Sequence, residues 1–275
     1  MRIGIIGSEG VVGSACKFGF RKLGHDVRCH DIVLNSKLED LQRANIIFIC
    51  VPTPSKEDGS CDTTIVEKVV AEIDDMLEED DFFAFDRYPI IAIKSTVQPG
   101  TTQKLIAKYP HLEFCFVPEF LRERCAVTDF TENHDLCVIG TEDYNVFEIV
   151  KRAHGNLPEK IVQLGTTEAE LVKYFNNAYN ATLVTFANSF YEVCTELGVD
   201  YTEVKNAVVN RKHIMHNYLE CNDNFRGFGG MCLPKDLRAL NKIAQRVGVN
   251  FFKNILEEND KYKTTVFEGM RDEDT

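Results

Sequence analysis

The chain has no run of 18 apolar residues, no C-x-x-C pair, and fewer basic than acidic residues, 31 Lys and Arg against 43 Asp and Glu. Each absence removes a class of function. Without a long apolar run there is no membrane-spanning helix to read. The opening Met1-Arg-Ile-Gly-Ile-Ile is a strand pattern leading to a glycine turn, unlike the charged start and long apolar stretch of a signal peptide. Ten cysteines with neither zinc-site spacing nor a secretory signal indicate reduced thiols in a soluble cytoplasmic protein, with no disulfide framework and no metal site. A net charge of −12 and a pI near 5.1 argue against nucleic acid or an anionic membrane as partner, since both select basic surfaces. A small anionic ligand needs only a few local donors and stays open. No internal repeat or low-complexity linker is visible.

What is present fits a globular chain of about two domains: 275 residues, 44% of them hydrophobic. Short apolar runs predict strands at Arg2–Ile6, Asp26–His30, Asn45–Cys50, Pro89–Ile93, Glu113–Phe116, Asp135–Ile139 and Ile161–Gln163, with helical patterns between them. Such alternation reads as an α/β fold with a doubly wound, mostly parallel sheet of Rossmann type over residues 1–164. Beyond Gly165 the strand pattern stops. Thr166–Leu197 has helical periodicity, stopped by Gly198, and shorter helices are expected at Tyr201–Arg211 and Leu233–Val247. These make a second, all-helical domain over 165–250, with 251–275 as a linking segment and tail. A central helix of that length with apolar residues on more than one face predicts packing against a partner subunit, hence a homodimer. The acidic run Glu78–Asp81 and the aromatic-rich Phe82–Tyr88 read as an exposed loop.

Two places carry chemistry. The first joins the first strand to the first helix, Gly7-Ser-Glu-Gly10-Val-Val-Gly13. Dinucleotide pyrophosphates rest on helix N–H groups at such a junction. The spacing is G-x-x-G-x-x-G where G-x-G-x-x-G is usual, so either one residue is inserted or Ser8 replaces a glycine. Asp31 follows the second strand, where a carboxylate accepts both ribose hydroxyls of NAD and repels the 2′-phosphate of NADP. Together Gly7, Gly10, Val11, Val12, Gly13 and Asp31 predict NAD as cofactor. The second place is Gly227-Phe-Gly-Gly-Met-Cys-Leu-Pro-Lys-Asp236. Pro234 suits the start of a helix, which puts Cys232 at its positive end with Lys235 close by. Both favour the nucleophilic thiolate. Most of the other cysteines are expected to be small buried hydrophobes.

Beyond these two, the chain contains Phe48-Ile-Cys-Val-Pro-Thr-Pro54 followed by Glu57-Asp-Gly59, then Lys94-Ser-Thr-Val-Gln-Pro-Gly-Thr101, Pro118-Glu-Phe-Leu-Arg-Glu123 and Glu170-Leu-Val-Lys-Tyr-Phe-Asn-Asn177. In this order, with the cysteine segment, the motifs closely resemble the UDP-glucose/GDP-mannose dehydrogenase family. The resemblance implies two successive NAD-dependent oxidations at C6 of a nucleotide sugar, UDP-glucose being the favoured substrate, through an intermediate bound to Cys232. It further implies that Lys173 and Asn177 stabilise an oxyanion at C6, that Glu119 is the base for thioester hydrolysis, and that Thr96 and Asp236 position water and support the lysine. Val51, Pro52, Thr53, Ser95, Thr96, Glu123 and Lys235 would join the cofactor site. Backbone at Phe120, Leu121 and Arg122 would hold sugar hydroxyls, and the loop carrying Phe228, Gly229 and Gly230 would cover the substrate.

Family members are expected to continue through a linking helix into a C-terminal domain whose basic residues grip the nucleotide. Here a segment like the start of that helix, Phe251–Gly269, runs into Met270–Thr275. Arg211, Lys212, Arg226 and Lys235 are the basic candidates left for the nucleotide. Competing expectations are a GDP-mannose or UDP-hexosamine substrate, a catalytically silent NAD-binding dimerisation module, and a hydroxyacid dehydrogenase of similar architecture. The last would need a lysine base but no cysteine nucleophile.

Overall fold

The computed structural model describes residues 1–78 and 88–262. Seven strands form one sheet in the order β2-β1-β3-β4-β5-β6-β7. They are β1 (Arg2–Ile6), β2 (Asp26–His30), β3 (Ile46–Ile49), β4 (Ile90–Ile93), β5 (Glu113–Phe116), β6 (Leu136–Gly140) and β7 (Lys160–Leu164). All neighbours pair parallel except β5 and β6, which meet antiparallel at Phe116 and Gly140. The central strands β3 and β4 are entirely buried, as a sheet covered on both faces requires.

Alternation along β3 sorts its side chains to two cores. Ile47 and Ile49 join one with helix α2 (Thr64–Glu78) and α3 (Thr101–Lys108). Ile46 and Phe48 join the other with α1 (Val11–Lys22), α4 (Ala126–Thr131) and α5 (Tyr144–His154). Each fully buried Ile or Phe contributes about 1.5–3 kcal/mol. The chain leaves β1 towards β2 on one side and returns to β3 on the other, so the strand order reverses between β1 and β3. Ligands of open α/β sheets bind at the carboxyl ends of strands at such a point.

Helix α6 (Thr166–Leu197) is continuous, and Gly198 at φ 65° ends it. It is followed by α7 (Tyr201–Val208), α8 (Leu233–Gln245) and α9 (Phe251–Asn259). Asp143 and Asp200 cap α5 and α7 through their side chains. Helices α7 and α8 end a turn or less before the sequence pattern does, because terminal turns carry apolar residues that periodicity alone cannot stop.

Two compact units result: Met1–Pro54 with Cys61–Lys173, and Ser55–Ser60 with the chain from Tyr174. The division falls inside α6, later than the expected 164/165 boundary. The cause is packing of the first turns of α6 on the sheet: Ala169 is fully buried in the first core, Val172 packs against it, and the Glu170 carboxylate accepts from Gly100 N, Thr102 N and Thr102 Oγ1 at 2.5, 2.8 and 2.7 Å. Within the second unit, Ala178, Ala181, Val184, Phe228, Leu237 and Ile255 form one core cluster, and Ala187, Cys194, Tyr201, Leu219 and Cys221 another. Of the expected loop over 78–88, Glu78 ends α2 and Tyr88 packs against the first core; the rest lies outside the described residues, as does the linking segment after Tyr262. Among the described residues no helix is long and apolar enough to cross a membrane.

Candidate functional site

The fingerprint turn resolves into three glycine roles. Gly7 has φ 79°, and a Cβ there would lie 2.6 Å from the Cys50 carbonyl oxygen where β1 passes β3. A Cβ on Gly13 would lie 2.0 Å from the Gly7 oxygen, so only glycine lets α1 pack this close to the turn. A Cβ on Gly10 would meet only the Gly7 oxygen, at 3.5 Å, and Gly10 and Val11 are exposed. Gly10 is the N-cap of α1 with no side-chain cap, which leaves the first helical N–H groups for an anion. The extra position is Glu9, which the sequence pattern leaves without a role. Its N–H donates to Asp31 Oδ2 at 2.9 Å, and its carboxylate accepts from Lys17 Nζ at 2.8 Å and Ser8 Oγ at 2.9 Å. Those two bonds hold the Glu9 carboxyl below the usual carboxylate range. Glu9 therefore ties the glycine turn to Asp31, and the residues present fit NAD.

Around the ends of β3 and β4, the Ser95 hydroxyl donates to the Val51 carbonyl at 2.7 Å, and the Thr96 carbonyl accepts from Cys61 Sγ at 3.4 Å. Val51 and Thr96 are half-buried, Pro52 is exposed and Thr53 is buried.

Glu119 lies in the loop after β5. The Lys173 ammonium is 2.7 Å from its Oε1 and 2.8 Å from its carbonyl oxygen, and Leu121 N–H donates to its Oε2 at 2.7 Å. Burial alone would raise the Glu119 carboxyl, but the charge and hydrogen bond of Lys173, the Leu121 N–H and the charge of Lys94 together hold it below the ordinary value. Sequence reasoning placed Glu119 and Lys173 separately; they are one ion pair. The Arg122 N–H and guanidinium are both bound to Asp129, at 2.9 Å and at 3.1 and 2.8 Å. Of the backbone at Phe120, Leu121 and Arg122, two of the three N–H groups are committed inside the loop, and the carbonyls are the groups that could accept from sugar hydroxyls. Glu123 is exposed and opens a 3₁₀ turn, Glu123–Cys125.

In the second unit, the Asn177 amide donates to Asp236 Oδ2 at 2.6 Å, and Lys235 Nζ is 2.6 Å from Asp236 Oδ1. Asp236 thus fixes which way the Asn177 amide faces. Lys235, expected near cofactor or nucleotide, is paired with this acid. Of the ten cysteines Cys232 alone is exposed, at the N-cap of α8 with Pro234 in the first turn. The loop before it is pinned: Asn188 Oδ1 accepts from Arg226 Nε at 2.7 Å and Gly227 N at 3.0 Å, and Asn259 bonds both the N–H and the carbonyl of Phe228.

Phe228 is 2% exposed in the core, a correction to its reading as a substrate contact. Gly229 is half-buried, and Gly230 is exposed with φ 73°. Arg226 is likewise structural: its guanidinium is 4.7 Å from the Tyr191 ring and 4.5 Å from the Tyr262 ring, and it pairs with Glu192. Arg211 and Lys212 are exposed.

The family's NAD binding domain profile matches residues 33–157, and its central domain profile matches 167–261. The chain belongs to the UDP-glucose/GDP-mannose dehydrogenase family. The NAD profile begins after Asp31, so the irregular fingerprint rests on the geometry above. The UDP-glucose 6-dehydrogenase of Rickettsia felis is 32% identical over 229 residues, 80% of this chain and 48% of that protein. The GDP-mannose 6-dehydrogenase of Pseudomonas putida is 32% identical over 244 residues, 84% of this chain and 54% of that protein. The chain thus spans about half the length of these curated relatives. A UDP-glucose dehydrogenase structure from the hyperthermophilic archaeon Pyrobaculum islandicum matches with a TM-score of 0.84 at 28% identity, over 96% of this chain and 68% of that one.

Proposed function

We propose that this family member oxidises C6 of a nucleotide sugar, UDP-glucose by preference, from alcohol to carboxylate in two steps, using NAD. The observation that carries this reading is Cys232, the exposed thiol among ten, at the positive end of α8. NAD, held by the Gly7–Gly13 turn and Asp31, would supply the hydride acceptor for each oxidation of C6. Cys232 sulfur adds to the C6 aldehyde, giving a thiohemiacetal whose oxidation leaves a thioester. Lys173 and Asn177 are assigned the oxyanion, and Glu119 removes a proton from the water that displaces the thiol. Asp236 orients the Asn177 amide.

Two NADH per sugar with no released aldehyde is the expected stoichiometry, and Cys232→Ser should stop steady turnover while NAD binding persists. One NADH per sugar, or a fully active Cys232→Ser variant, overturns the assignment. GDP-mannose and UDP-hexosamines belong in the same assay, because relatives acting on UDP-glucose and on GDP-mannose are equally similar at 32% identity.

A cytoplasmic homodimer is part of the same reading. Phe175, Tyr179, Phe186, Phe190, Val193 and Leu197 are exposed on α6 at spacings of three, four and seven, which support a second copy packing along that face.

A further inference from the structure

Lys94 follows the all-apolar strand β4 and is 3% exposed. Its ammonium has three donors. Among the described residues it makes one hydrogen bond, to the Val117 carbonyl at 3.3 Å, and lies 5.9 Å from the ring centroids of both Phe48 and Phe130. A cavity of about 20 Å³ opens between Lys94, Glu119 and His134, with Asp129 and Asp135 also on its wall. The two buried carboxylates there are paired with other cations, Glu119 with Lys173 at 2.7 Å and Asp129 with Arg122 at 2.8 Å. His134 Nδ1 is buried with no partner among the described residues.

A buried cation so lightly bonded is unfavourable by several kcal/mol and calls for a compensating role. A single water needs roughly 10–15 Å³ and two to four polar partners, and this cavity has both. Charge balance supplies the role. Lys173 and Glu119 neutralise each other, so the pair alone projects little positive potential towards an oxyanion; Lys94 behind it restores a surplus of one positive charge.

We propose that Lys94 is a positioning residue for the C6 chemistry, the second cation behind the Glu119–Lys173 pair, acting with one water bound in this cavity between its ammonium, Glu119 and His134 Nδ1. Burial first and the charge of Lys94 second depress His134, on the cavity wall, to about 4, and the same two causes depress His154, in the core beyond it, to about 3. The charged groups that act on Glu119 are Lys173 from α6 and Lys94 after β4; the buried Cys16 and Cys50 thiols feel its charge, and Asp129 from α4 with His134 and Asp135 before β6 share the cavity wall with it.

The role presumes Glu119 as hydrolytic base, so two of its readouts need no turnover. A crystal structure of the full chain at a resolution that places waters should contain one within about 3.2 Å of both Lys94 Nζ and His134 Nδ1; a dry cavity overturns the proposal, whether or not any variant folds. Carbon-13 NMR titration of Glu119 should show its proton affinity rising about tenfold in Lys94→Met. A folded Lys94→Met with lower melting temperature and an unchanged Glu119 midpoint makes Lys94 merely structural and also overturns it. In single turnover, Lys94→Met should slow thioester hydrolysis with KM for the sugar unchanged, and the acid limb should move up with the Glu119 midpoint. If the wild-type chain forms no thioester, the reading of Glu119 as base falls, while the water and the NMR midpoint still decide whether Lys94 serves the pair.

Discussion

The Lys173 ammonium touches Glu119 twice, 2.7 Å from Oε1 and 2.8 Å from the carbonyl oxygen, so the two groups act as one unit. Lys173→Ala should therefore do two things. In its proposed role Lys173 is an oxyanion donor, and its loss should lower kcat on the order of 10²–10³, with a much smaller rise in KM. The substitution also leaves a buried carboxylate without its cation, at a loss of about 3–5 kcal/mol in unfolding free energy. Steady-state kinetics and urea unfolding check the pair of effects. A change confined to KM would instead make Lys173 a ligand of the sugar or its phosphate.

Gly13 and Gly10 should respond differently to the same methyl group. Gly13→Ala places a carbon 2.0 Å from the Gly7 oxygen, which backbone cannot accommodate, so α1 must shift and stability should fall by about 1–3 kcal/mol. Gly10→Ala has room in the protein but stands where the pyrophosphate would rest. It should melt within a few degrees of wild type and bind NAD more weakly. Equal melting temperatures for the two variants would show that Gly13 is no packing glycine.

Much of this architecture was legible in the residues, for a definite reason. Runs such as Ile46–Ile49 and Ile90–Ile93 are buried on both faces, and their apolar continuity marks them without tertiary knowledge. Helix α6 was legible from periodicity and Gly198. The site was legible as a set of residue types at fixed spacings, but its internal pairing was not. Glu119 and Lys173 are 54 positions apart, and nothing local in either segment says that they meet. Phe228 and Arg226 lie within the cysteine loop yet face the core, which depends on Asn188 and Asn259 arriving from α6 and α9. Lys94 was hidden because a lysine after a strand reads as a solvated end.

Cofactor choice should follow Asp31. Its carboxylate is oriented by Glu9 N–H at 2.9 Å and Val33 N–H at 3.2 Å, with lone pairs left for ribose hydroxyls. NAD should be clearly preferred to NADP. Asp31→Ala should narrow the ratio of kcat/KM values by about tenfold to a hundredfold, the size of a charge-assisted hydrogen bond. Dissociation constants for the two cofactors give the same comparison without turnover, and an unchanged ratio would place the ribose elsewhere.

Acid should loosen the sheet unit before it titrates its carboxylates. Burial, then the charge of Lys94, lowers His134 from 6.5 to about 4 and His154 from 6.5 to about 3. Between pH 6.5 and 4 the unfolded chain therefore binds more protons than the folded one, and stability falls as pH falls, by about 1.4 kcal/mol per pH unit for each histidine. Unfolding free energies measured across that window should show the slope. His154→Phe keeps the ring among Phe20, Phe48 and Phe130 and removes one titrating group, so its slope should be shallower by one proton. A slope identical to wild type would mean that His154 is protonated in the fold.

The exposed face of α6 gives the last expectation. Phe175 is 75% exposed, Phe186 58% and Leu197 71%, on a helix whose opposite side carries Ala181, Val184 and Ala187 into the second unit's core. Large apolar side chains left in water along several turns are unfavourable unless another surface covers them. A second copy is the occupant that the continuous stripe suits, because an isologous contact repeats the same face on both sides. The Phe186 and Phe190 rings lie 5.8 Å apart, tilted to one another, near the middle of the stripe, where desolvation on association should be most complete. The double substitution Phe186→Glu with Phe190→Glu puts two like charges per subunit into that contact. Sedimentation at micromolar concentration should give a dimer for the wild-type chain and a folded monomer for the variant. A wild-type monomer, or a variant that stays dimeric, would mean that this face of α6 is not where two copies meet.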